Sequence, residues 1–150
     1  MRFVPAGLAA ALLLAACGAG PAATPQPANT PSDISVTLTP VAEAEYPWGL
    51  AFLPNGDLLF TERVSGLKYL AAGETKAVPV SGLPEALTEG QAGYFGITLD
   101  PDFETNRTVY IAYAQGTEKD NGTAVIRARL SDDHTALEDI TQIFRADSRD

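Results

Sequence analysis

Trp48-Gly49-Leu50-Ala51-Phe52-Leu53-Pro54-Asn55 and Phe95-Gly96-Ile97-Thr98-Leu99-Asp100-Pro101-Asp102 share one pattern: aromatic, glycine, aliphatic, small, apolar, variable, proline, and an acid or its amide. The two octets lie 47 residues apart at every position. Each is followed by a second apolar run, 58–62 in one case and 109–114 in the other, and then by two more. Four short antiparallel strands in a period of 47 residues is the size of a β-propeller blade. The aromatic-glycine step has a physical use there, because an innermost strand crowds the central channel and glycine lets another backbone approach. Gly49 and Gly96 are both expected to reject bulky side chains.

Outward from the octets, the chain from Ile34 on is a series of β-branched and aromatic runs broken by turn residues, with no stretch of helical period. Ile34-Ser35-Val36-Thr37-Leu38 alternates strictly and reads as a strand. Strands are expected at 48–53, 58–62, 67–71, 76–80, 94–99, 109–114, 123–130 and 140–145. Asn55-Gly56 supplies the positive φ of a tight hairpin. The expected class is all-β, an up-and-down arrangement with residues 34–150 forming two blades. A propeller ring needs about four to eight blades, so the chain reads as the front portion of a longer protein.

The first sixteen residues carry Arg2 and then an Ala/Leu stretch of about thirteen residues, too short to span a hydrocarbon core of roughly 30 Å as a helix. The stretch ends in Leu14-Ala15-Ala16-Cys17, followed by Gly18, which resembles a bacterial lipobox, and the single Cys of the chain falls where that pattern needs it. Residues 1–16 are expected to be a lipoprotein signal and Cys17 the lipidated residue. The protein would then be exported and anchored to the membrane on the periplasmic side of a bacterial envelope. Residues 17–33 contain Pro21, Pro25, Pro27 and Pro31 among small polar residues and read as a semi-stiff tether. The formal charge of −9 opposes a phosphate backbone, so nucleic acid is not an expected partner. One Cys and one His leave little for an imidazole or thiolate metal site.

Tyr46-Pro47-Trp48-Gly49-Leu50-Ala51-Phe52-Leu53-Pro54-Asn55-Gly56 with Thr61-Glu62-Arg63, then Gly90-Gln91-Ala92-Gly93, then Leu99-Asp100-Pro101-Asp102-Phe103 and Asn106-Arg107-Thr108-Val109-Tyr110, resembles the N-terminal part of the glucose/sorbosone dehydrogenase family. The resemblance runs from about Val41 to Arg145. It implies a six-bladed propeller in the full-length protein and oxidation of an aldose sugar at its anomeric carbon. It also implies hydride transfer to pyrroloquinoline quinone (PQQ) with calcium nearby, and a His base. Gln91 matches the Gln of the family's Gly-Gln-x-Gly motif, which lines the sugar and quinone pocket. Ala92 and Tyr94 depart from the more usual Gly and Leu there. The residues themselves place Gln91 in a loop feeding the strand at Tyr94, where an amide offers both a donor and an acceptor to a hydroxyl or a quinone oxygen.

The family's catalytic His has no counterpart in this chain, and no catalytic or metal-ligating residue is assigned. His134 sits in Ser131-Asp132-Asp133-His134-Thr135, a polar hairpin turn, and is expected to be exposed there, away from any substrate. Asp100, Asp102 and Glu104 lack the glycine turn and terminal Glu of a calcium loop and read as turn residues. Arg63 and Arg107 flank strands and are expected to pair with acids. The sequons at Asn106 and Asn121 read as ordinary loops. Two other functions share the fold: a non-catalytic propeller that binds a sugar or protein, and a metal-dependent propeller lactonase. With at most one pocket residue, the chain alone is expected to be inactive. The electron acceptor is left open.

Overall fold

The computed structural model describes residues 35–147. The chain divides into two units, 1–37 and 38–150. Of the first unit only residues 35–37 are described, and they have no regular structure. The signal at 1–16, Cys17 and the tether at 17–33 lie outside the described residues.

The second unit is two blades of a β-propeller. In the first blade, β1 (Pro47–Phe52), β2 (Leu58–Glu62), β3 (Gly66–Leu70) and β4 (Val78–Val80) pair antiparallel in sequence order. In the second, β5 (Tyr94–Leu99), β6 (Thr108–Gly116), β7 (Asn121–Leu130) and β8 (Leu137–Arg145) do the same. The inner strands β1 and β5 begin and end 47 residues apart. Both ladders are interrupted at the aromatic-glycine step, between Pro47 and Gly49 in one and between Tyr94 and Ile97 in the other. The β5–β6 connection is longer than its counterpart because it holds a single helical turn, α1 (Phe103–Asn106).

The core lies between the sheets. Leu59 and Leu67 of the first blade meet Ile97, Val109, Ile111 and Tyr113 of the second, all buried to 9% exposure or less. Gly49 is what lets the inner strands meet, since a Cβ there would stand 2.8 Å from the Cα of Gly96 and 3.1 Å from the carbonyl oxygen of Phe95. Trp48 and Phe95 touch across the same step, with ring centroids 5.5 Å apart. Toward the outer edge, Ser81 donates its amide to the Thr135 carbonyl at 2.9 Å and accepts from the amide of Leu137 at 2.8 Å.

Two expectations are corrected. Ser35–Leu38 forms no strand, and Val36 and Leu38 are 73% and 88% exposed. Alternation sets which side chains share a face, but a strand also needs a ladder partner, and the first sheet begins at Pro47 instead. Gly96 is not crowded as Gly49 is, since nothing stands within 4 Å of a Cβ built on it. Its open side faces away from the first blade.

Candidate functional site

Three consecutive residues at the end of β2 tie separate segments together. Thr61, fully buried, accepts from the amide of Gly49 at 3.0 Å and donates to the carbonyl of Phe95, so it spans both inner strands. The buried carboxylate of Glu62 accepts from the amide of Glu45 at 2.7 Å, from the Ser65 hydroxyl, and from Lys68, 3.5 Å away. Burial pushes the Glu62 carboxyl up, but the Ser65 hydroxyl, the Glu45 amide and the Lys68 ammonium outweigh it and hold the group below its ordinary value. Arg63 reaches neither an aspartate nor a glutamate among the described residues, contrary to the expected acid pairing. Its guanidinium donates to the carbonyls of Gly90 at 2.5 Å, Ala92 at 3.3 Å and Thr88 at 3.4 Å. It also lies 5.3 Å over the ring of Tyr46.

The loop that Arg63 grips carries Gln91 and leads into β5. The Ala92 amide closes a turn onto the Glu89 carbonyl at 2.9 Å, and the Tyr94 amide donates to the Arg63 carbonyl at 2.9 Å. Gly93, at φ +148°, fits where no other residue can, because a Cβ there would stand 2.1 Å from the Arg63 carbonyl oxygen. The loop is pinned to the second blade where the Leu87 amide donates to Ala114 and the Ala114 amide donates to Gly93. Gln91 is exposed at its tip. Among the described residues its amide has no hydrogen-bond partner, so it does not cap its own loop.

The remaining candidates are occupied by the fold. His134 lies in the β7–β8 turn as expected, at φ +61°, but it is half-buried rather than free in solvent. It stacks on Tyr69 of the first blade, centroids 4.5 Å apart and planes 2° from parallel. Tyr69 in turn donates to Asp57 at 2.5 Å, and burial together with that carboxylate pushes its phenol up to about 12. Asp100 accepts from the Asp102 amide, the Asn106 amide nitrogen and the Tyr110 hydroxyl, all within 3.0 Å, which is turn chemistry. Asn106 also accepts from the Thr108 amide at 2.8 Å. Arg107 donates to the carbonyls of Leu130 and Ser131 and lies 3.3 Å from Asp132. No group of three or more His, Cys, Asp or Glu suited to a metal exists among the described residues. A groove of about 680 Å³ runs along the first blade past Glu62, Lys68 and Lys76. It lies apart from Gln91, and its charged pair already serves the fold.

The sequence profile of the family described as Glucose / Sorbosone dehydrogenase matches residues 44–150. The chain is 39% identical over 103 residues to the aldose sugar dehydrogenase YliI of Escherichia coli (strain K12), covering 67% of this chain and 28% of that protein. A solved glucose dehydrogenase is 42% identical with a TM-score of 0.64, over 67% of this chain and 32% of that one. The PQQ-bound form of aldose sugar dehydrogenase from Streptomyces coelicolor is 28% identical with a TM-score of 0.63, over 73% of this chain and 33% of that one. The chain thus spans about a third of the length of the relatives it matches.

Proposed function

Because the chain belongs to the glucose/sorbosone dehydrogenase family, we propose that it is the front portion of a longer PQQ-dependent aldose sugar dehydrogenase. In that protein two of six blades come from this chain, and Gln91 faces the sugar and the quinone. The observation that carries the site is the exposed, unpartnered amide of Gln91 on a loop braced from three sides. Further support comes from the relatives that are aldose or glucose dehydrogenases, one of them solved with PQQ bound.

The quinone, when bound, supplies the acceptor for the hydride leaving the anomeric carbon. A neutral amide suits one contact to it or to the substrate. The NH₂ of Gln91 donates to a quinone or sugar oxygen, and its carbonyl accepts from a sugar hydroxyl. The braced loop holds that amide in place before the sugar arrives, so ordering it costs little at binding. The described residues gather no group of three carboxylates or imidazoles that would hold calcium. The general base belongs to residues outside this chain, since His134 is engaged with Tyr69 between the blades. Lipidation of Cys17 would hold the enzyme on the envelope surface, with the tether at 17–33 as spacer.

The test is aldose-dependent dye reduction by the longer protein supplied with PQQ and calcium. Turnover that requires PQQ supports the proposal. A protein that binds no PQQ and instead hydrolyses lactones overturns it.

A further inference from the structure

The geometry points to Arg63 as the positioning residue for Gln91. The peptide plane before Gln91 is held by this side chain, whose guanidinium lies 2.5 Å from the Gly90 carbonyl, and the plane after it is held by the Ala92 amide, which donates to the Glu89 carbonyl at 2.9 Å. The same guanidinium nitrogen lies 3.3 Å from the Ala92 carbonyl, in the next peptide along. A third carbonyl, that of Thr88, stands 3.4 Å from it. Fixing the planes before and after a residue fixes the direction in which its side chain leaves the backbone. The backbone of Arg63 completes the grip. Its amide donates to Tyr46 at 3.1 Å and its carbonyl accepts from Tyr94 at 2.9 Å, so the segments entering β1 and β5 are tied to one residue.

The guanidinium is suited to this as an ammonium is not. It is planar and always charged, and it stacks on an aromatic face, here Tyr46 at 5.3 Å, which fixes where its carbonyl-bonding nitrogen stands. Its charge is met by carbonyl oxygens and not by a carboxylate. The positioning role rests on the proposed function of Gln91. The clamp itself rests only on the distances.

Two measurements separate these. Hydrogen exchange on the longer protein, read without substrate, reports the clamp: Arg63→Ala is expected to speed exchange of the Ala92 and Tyr94 amides about tenfold while the β6–β7 ladder stays unchanged. Unchanged exchange at those amides overturns the clamp. Sugar oxidation by the longer enzyme reads the positioning. Arg63→Ala and Gln91→Ala are each expected to lower kcat/KM about twofold to tenfold, and the double variant to lose no more than the worse single one. Arg63→Lys, which keeps charge and most of the stem, is expected to restore little. Losses that multiply in the double variant show Arg63 acting on the fold alone and overturn the positioning role. An active enzyme indifferent to Gln91→Ala overturns the reading of Gln91 and the positioning role with it, with the exchange result standing apart.

Discussion

A missing methyl group at Gly49 sets the distance between the two inner strands. Because a Cβ there meets the Gly96 backbone at 2.8 Å, Gly49→Ala is expected to destabilise the chain by about 1–3 kcal/mol, measured by urea unfolding. Gly96→Ala meets open space and is expected to stay within about 0.5 kcal/mol. The aromatic-glycine step was legible in the residues, but which glycine is crowded depends on the blade beside it, and a local pattern does not carry that. Asp57 gives the fold a pH dependence. The Tyr69 hydroxyl first, then the Ala72 amide, hold its carboxyl below the ordinary 3.8. The folded state therefore takes up a proton less readily than the unfolded chain. Its stabilising contribution is complete above the unfolded value and is lost as pH falls through the lower, folded one. Stability measured against pH should fall below about pH 4, and Asp57→Asn should flatten part of that limb, Glu62 carrying another part. A limb unchanged in Asp57→Asn would place the acid sensitivity elsewhere. His134→Ala should cost about 0.5–1.5 kcal/mol through the lost stack on Tyr69. Its partial burial is not legible in its own turn, because the ring that covers it, Tyr69, belongs to the other blade.

At the scale of elements, the run Thr61-Glu62-Arg63 joins the inner strands, the segment before β1 and the loop before β5. Thr61→Val keeps the shape and removes the hydroxyl that serves Gly49 and Phe95, leaving polar groups of both strands unpaired. A loss of about 1–3 kcal/mol is expected, and an unchanged unfolding midpoint would show that the seam is held by packing alone. The strands were legible because each signal is local: alternation, β-branched and aromatic residues, and turn residues at the hairpin tips. The offset of 47 between octets gave the blades directly, and β1 and β5 keep it at both ends. The strand expected over 34–38 failed because pairing is not local. The single turn α1 is too short to show a helical period, and it is fixed by Phe103 entering the core. Gln91 drew attention through family resemblance and not through any pattern of its own. The part played by Arg63 was hidden, because its partners are backbone carbonyls on a loop 25 to 29 residues away and leave no mark in side-chain identity.

At the scale of the whole molecule, the two octets have opposite fates. Ile97 and Leu99 of β5 pack in the core between the blades. Their counterparts Leu50 and Phe52 are 61% and 67% exposed, on the face of β1 opposite Ala51, which packs on that core. An apolar face of this kind favours association. The isolated chain is expected to scatter light and bind apolar dyes until Leu50 and Phe52 are replaced by Ser, whereas a monomer that binds no dye would show the face to be inert. Among the described residues no helix is long and apolar enough to cross a membrane, and anchoring is proposed through Cys17. Cys17→Ser should move the protein from the membrane to the soluble fraction, and a mature chain with an unmodified thiol would contradict lipidation. Gln91 is proposed as the one pocket residue that this chain brings to a sugar dehydrogenase built on these blades. That role is tested most directly by kcat/KM for aldose oxidation in the longer, PQQ-loaded protein, comparing Gln91→Ala with His134→Ala. A loss of about 0.5–1.5 kcal/mol, roughly twofold to tenfold, is expected for the first and no change for the second. A silent Gln91→Ala beside a large loss at His134 would contradict that role.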